Sequence, residues 1–161
     1  MTGRRRFGTL FLGGALLAVG VVGPAGAAPA SAAGATLFGP SNRPCGGGVG
    51  TETFGTATLQ SAKAKDAAPA DGRVVRVVVA ADKVRARTTY NVQLAATVVE
   101  GSSVGCRFWS AGVASSSAGG MLRFSGVVAV PDSITSFEVY VAPPGPSDVG
   151  YATAAVSVAG L

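Results

Sequence analysis

The chain has 161 residues, 48% of them hydrophobic and 13% charged, with 13 Lys and Arg against 8 Asp and Glu and no histidine. That length suits one compact domain and is short for two. The missing histidine excludes Ser-His-Asp and Cys-His catalysis and imidazole metal sites. With the three leader arginines set aside, 10 basic residues against 8 acidic ones are not the footprint of a nucleic-acid binder.

The first residues read as an address. Arg4-Arg5-Arg6 precedes an apolar run from Thr9 to Val22, and small residues follow with Ala-x-Ala sites at Ala25-Gly26-Ala27 and Ala30-Ser31-Ala32. This predicts a secretory signal peptide over 1–32, cut near Ala27 to Ala32. The apolar run, about fourteen residues, is short of the roughly twenty that a membrane-spanning helix needs. Arg4-Arg5-Arg6-Phe7 also resembles a twin-arginine core, which leaves the export route open. The expected mature protein is secreted, with no membrane insertion after cleavage. Abundant Ala, Gly and Val beside a single Ile suggest a GC-rich bacterial source.

Next comes a Gly/Pro-rich arm, 33–55, expected to be irregular and pinned at Cys45. Strand candidates follow over 56–63, 73–81, 89–99, 105–113, 121–130, 134–142 and 151–158, within a domain spanning 56–161. Asp71-Gly72 and Pro131-Asp132 are turn pairs, since Gly supplies positive φ and Pro presets φ while removing a ladder donor. No run shows a 3.6 period, so no helix is expected after the leader. Alternation places Tyr90, Val92, Leu94, Ala96 and Val98 on one face, and likewise Val75, Val77 and Val79. It does the same for Leu122, Phe124, Val128 and Val130, for Phe137, Val139 and Val141, and for Ala154, Val156 and Val158. Seven short one-faced strands predict an all-β, antiparallel β-sandwich, with a partly closed barrel as the alternative.

Val84-x-Ala86-x-Thr88-x-Tyr90-x-Val92-x-Leu94 resembles the tyrosine corner of fibronectin type III and related immunoglobulin-like domains, with Ala86 where that family has Pro. The resemblance implies an immunoglobulin-like sandwich in which the Tyr90 hydroxyl bonds back to the upstream backbone and Val84 is its apolar neighbour. It implies nothing about function.

Cys45 and Cys106 are the only cysteines, and export places them in an oxidising compartment. One intramolecular disulfide is expected, with two free thiols or an intermolecular pair as alternatives. Two cysteines without histidine do not make a zinc site. The acids are scattered singly, mostly in predicted turns (Asp71, Asp82, Glu100, Asp132, Asp148), which reads as solvated turn chemistry. Asp132, Glu138 and Asp148 are the acids that folding would have to gather for a paired-carboxylate site. Cys45-Gly46-Gly47-Gly48-Val49-Gly50 lacks the lysine and strand–helix context of a phosphate loop. No enzymatic activity, cofactor or metal is expected.

Two stretches carry candidate contacts. Arg73, Arg76, Lys83, Arg85 and Arg87 concentrate positive charge, and Lys83, Arg85 and Arg87 share a side at period two. They suit an acidic partner or an anionic envelope polymer, against the plainer reading of a solvated loop and edge strand whose Lys and Arg discourage aggregation. In Cys106-Arg107-Phe108-Trp109, an inward Cys106 would turn Phe108 in and Arg107 and Trp109 out, forming a recognition patch. The plainer alternative is Trp109 buried under a neighbouring loop. The expected function is a secreted binding module that contacts an unknown protein or envelope polymer. A small-molecule carrier is the alternative, by similarity to exported immunoglobulin-like apoproteins that shelter reactive natural products. Those carry a second disulfide, for which this sequence has no cysteines.

Overall fold

The computed structural model describes residues 32–39, 43–47, 50–63, 72–145, 150–159 and 161. The expected signal peptide lies outside these except for Ala32, as do Gly48, Asp71 and Asp148. Among the described residues there is no helix. The strands are β1 (Ala32–Gly39), β2 (Glu52–Ser61), β3 (Arg73–Ala81), β4 (Thr89–Glu100), β5 (Ser103–Ser115), β6 (Leu122–Val130), β7 (Ser136–Ala142), β8 (Tyr151–Thr153) and β9 (Val156–Ser157).

All ladders are antiparallel, and they join in the order β5-β4-β7-β8-β1-β2-β3-β6, with β9 added on β7. The expected two-layer sandwich is therefore corrected to one continuous sheet rolled into a nearly closed barrel, and the seven expected strands to nine. The two ends of the order, β5 and β6, meet without forming a ladder. Their approach is tightest at Gly126, where any Cβ would run into the Ala111 carbonyl oxygen and the Phe124 ring.

The inward faces follow the alternation. Val75, Val77 and Val79 of β3, Tyr90, Val92 and Leu94 of β4, and Phe137, Val139 and Val141 of β7 are all essentially inaccessible. Leu122, Val128 and Val130 of β6 join them. Each fully buried Val, Leu or Phe contributes about 1.5–3 kcal/mol by leaving water.

Two boundaries differ from expectation. The arm is not irregular throughout, because Ala32–Gly39 is a strand lying between β2 and β8, and β2 starts at Glu52. Its inward residues are Ala33, Ala35, Leu37 and Gly39, too small to show as a hydrophobic period; the Tyr151 ring lies where Gly39 would carry a Cβ. The expected last strand splits into β8 and β9. Where β8 leaves β7, the buried Thr153 hydroxyl accepts the Val139 N–H at 2.9 Å, and β9 resumes pairing at Phe137↔Val156. The kink exposes Ala154, which was expected inside, and buries Thr153 in its place.

Strand directions define two ends. One carries the β4–β5 turn at Gly101, the β6–β7 loop and the end of the chain after β9. The other carries the β3–β4 loop (82–88) and the β5–β6 loop (116–121).

Candidate functional site

The disulfide is formed between Cys45 and Cys106, with Cα atoms 5.6 Å apart. It lies on the outer face of the barrel. Cys106 stands opposite Thr97 in the β4–β5 ladder, and facing residues of a ladder share a face. Thr97 is exposed, whereas its neighbours Ala96 and Leu94 point inward and are buried. The turn at 43–47 thus sits on the outside, where the Cys45 N–H donates to both Glu138 carboxylate oxygens at 3.1 and 3.3 Å. Ala95 faces outward yet is wholly buried. Phe108 and Tyr140 lie on the same outer face with ring centroids 6.2 Å apart. Burial raises the Tyr140 hydroxyl above its ordinary value, and the Arg43 charge opposes the shift.

This placement inverts the expected parity of β5. Trp109 faces Leu94 across the ladder and turns inward, meeting Phe137 edge-on at 5.5 Å and 89°. It remains partly accessible because it fills the interior beside the unpaired β5–β6 seam. Phe108 points outward instead. Arg107 shares the side of Trp109 but lies nearer the barrel's end, exposed and paired with Glu100. The expected outward patch of Arg107 and Trp109 is therefore not formed: its premise was an inward disulfide.

The five basic residues also separate. Arg73 clips the structure at the Gly101 end, donating from Nη1 to the Val158 carbonyl at 2.8 Å and from Nη2 to the Asp132 carbonyl at 2.7 Å, with Nε 3.4 Å from the Asp132 carboxylate. Arg76 lies within β3. Lys83, Arg85 and Arg87 lie together on the 82–88 loop, all exposed, with no ion-pair partner among the described residues. They stand on the loop between β3 and β4.

That loop is held firmly. Val84 is buried at its centre and anchors it to the core. The Val84 N–H donates to the Gly120 carbonyl at 3.1 Å, and the Arg87 N–H to the Ser117 carbonyl at 3.2 Å. Buried Ser116 ties the two loops together: its N–H donates to the Thr88 carbonyl at 2.9 Å, its hydroxyl to the Arg85 carbonyl at 2.6 Å, and it accepts the Thr88 N–H at 3.0 Å. The Tyr90 hydroxyl also donates to the Arg85 carbonyl, at 3.2 Å. Lys83 and Arg87 are held at φ 61° and 51°, a region that side chains other than glycine enter at some cost. Beside them stand the exposed Met121 and the Arg123–Asp82 pair at 3.3 Å. The sequence contained no signal for Ser116, which read as one of three turn serines.

Among the described residues the acids do not gather. Asp82 pairs with Arg123, Glu100 with Arg107 and Asp132 with Arg73, while Glu138 caps Cys45. Among the described residues no group of three or more His, Cys, Asp and Glu is placed to hold a metal ion. A groove of about 270 Å³ runs at the other end, lined by residues that include Thr97, Val99, Ser133 and Ile134. The exposed cations of the 82–88 loop are the feature with most chemical capacity among the described residues. Compared with protein-family models, curated proteins and solved structures, the chain matches none.

Proposed function

We propose that this protein is an exported, non-enzymatic β-barrel module that binds a polyanion, such as an acidic polymer of the cell envelope, through Lys83, Arg85 and Arg87. One observation carries the reading: three exposed cations, without ion-pair partners among the described residues, are displayed on a loop fixed by backbone hydrogen bonds and a buried valine. A held loop loses little conformational entropy on binding, and clustered unpaired charge attracts a flexible anionic chain. The disulfide supports export to an oxidising compartment. The Tyr90 corner supports kinship with immunoglobulin-like domains at that one turn. The side-chain-filled interior favours surface contact over carriage of a small molecule.

The test is retention on immobilised polyanion and on purified envelope material. Lys83→Ala, Arg85→Ala and Arg87→Ala combined should abolish salt-sensitive retention. Because the three side chains are exposed, unfolding free energy should stay within about 1 kcal/mol. Undiminished retention by the triple variant would remove the reading. Retention lost on the polyanion but kept on an acidic protein would reassign the partner.

A further inference from the structure

At the end opposite the cationic loop, the β4–β5 hairpin reaches beyond the packed interior. Every residue from 101 to 108 is exposed. The inner edge of β5 pairs with β4, while its outer edge has no ladder partner among the described residues. Over 103–110 the strand runs regularly from the Gly101 turn to the register shift that leaves Ala111 unmatched. It contains neither proline nor lysine, the usual guards of a free edge. Its one charged side chain, Arg107, is neutralised within the hairpin by Glu100. Exposed apolar residues lie along its outer face: Val99 and Val104, which face each other across the hairpin, and Phe108.

We propose that this edge pairs antiparallel with the same edge of a second copy, giving a two-fold dimer through β5. Three features point to a second copy as the occupant. An antiparallel junction of one strand with itself is isologous, so each contact occurs twice. The register centred on Cys106 sets Phe108 of one copy opposite Val104 of the other on the outer face, apolar against apolar. The same register sets Arg107 opposite Gly105, whose Cβ position is open, so the one bulky charged side chain meets free space. Charge also agrees. The hairpin is neutral, and the exposed Lys83, Arg85 and Arg87 lie at the far end of the barrel, where they do not oppose the approach. The disulfide leaves the edge clear, because Cys45 approaches from the β7 side, where it is held by Glu138. The joined strands and the two Phe108–Val104 contacts form a small interface, below the roughly 800 Å² per partner of a stable complex. A weak dimer, populated from micromolar concentrations upward, is the expected form.

Sedimentation equilibrium of the purified protein, from the micromolar to the millimolar range, tests this. Weight-average mass should rise toward that of a dimer. Val104→Lys, at a site 70% exposed, should leave the fold intact by circular dichroism and weaken association at least about tenfold. Val113→Lys, also at an exposed site but beyond the irregularity at Ala111, should associate like the wild type. A wild type that stays monomeric at millimolar concentration overturns the proposal. So does a Val104→Lys variant that dimerises as well as wild type, or a Val113→Lys variant that loses association with it.

Discussion

The Tyr90 hydroxyl reaches back five positions to donate to the Arg85 carbonyl at 3.2 Å, and the Ser116 hydroxyl donates to that same oxygen at 2.6 Å. One carbonyl at the centre of the cationic loop is thus held both from β4 and from the β5–β6 loop. Tyr90→Phe removes one of the two donors and leaves the other. The acceptor is not orphaned, so the cost should be about 1 kcal/mol. Urea melts check it, and a loss indistinguishable from zero would mean that Ser116 alone holds the loop. Ser116→Ala, which removes the shorter bond and also the acceptor for the Thr88 N–H, should cost more.

Burial, with Tyr151 alongside, pushes the Tyr90 hydroxyl up to about 12 from 10.0. The folded state therefore keeps this proton where the unfolded chain releases it. The resulting stability is fully present below pH 10 and is lost as pH rises toward 12. The useful quantity is the difference between wild type and Tyr90→Phe, in which contributions common to both cancel. Stability measured at successive pH values should fall more steeply for wild type between 10 and 12. Parallel curves would mean that Tyr90 ionises at its ordinary value.

Much of the barrel was legible because burial on one side of a strand leaves a period of two. Val75, Val77 and Val79 and the run from Tyr90 to Ala96 point inward as their spacing required. Strand β1 was hidden because its inward Ala33 and Ala35 are small and it needs Gly39 beneath the Tyr151 ring, so it read as a loop. Closure into one sheet was not legible, since β1 and β8 join its halves through only two matched positions. The inward role of Trp109 was missed for a different reason. Alternation says which residues share a face, never which face is inside, and the disulfide used to choose between them lies outside the barrel. The cationic loop was visible as charge, but its rigidity depends on Ser116, which folding brings from another hairpin.

The outer disulfide ties residues 61 apart. Constraining a loop of that length removes unfolded-state entropy worth about 4 kcal/mol in the chain-entropy model. The paired variant Cys45→Ser with Cys106→Ser avoids a leftover thiol and should lose a few kcal/mol in guanidinium melts. The cut should also loosen the Cys45 contact with Glu138, so that amide exchange quickens at Ala95 and Tyr140, under the tethered turn, before it does in β3. The non-reduced intact mass of wild type should lack two protons relative to the dithiol. Two titratable thiols in unfolded, unreduced wild-type protein would show that the bridge does not form.

Trp109 is the decisive residue for the barrel's open seam. Between β5 and β6 no ladder forms, and the indole packs on the inner face of β5, edge-on to the buried Phe137. Trp109→Ala should leave a gap that water can enter from the seam. The loss should fall below the 3–5 kcal/mol typical of fully buried aromatics, because the ring is partly accessible, yet reach about 2 kcal/mol. Phe108→Ala, the adjacent change on the outer face, should cost less, since that ring is 47% exposed. Trp109 is the chain's single tryptophan, so its fluorescence reports the site directly. Emission should be blue-shifted in the folded protein and move to the red through the same denaturant transition that circular dichroism records. Red emission from the native state, together with an unchanged midpoint for Trp109→Ala, would place the indole in solvent and leave the seam without its filling.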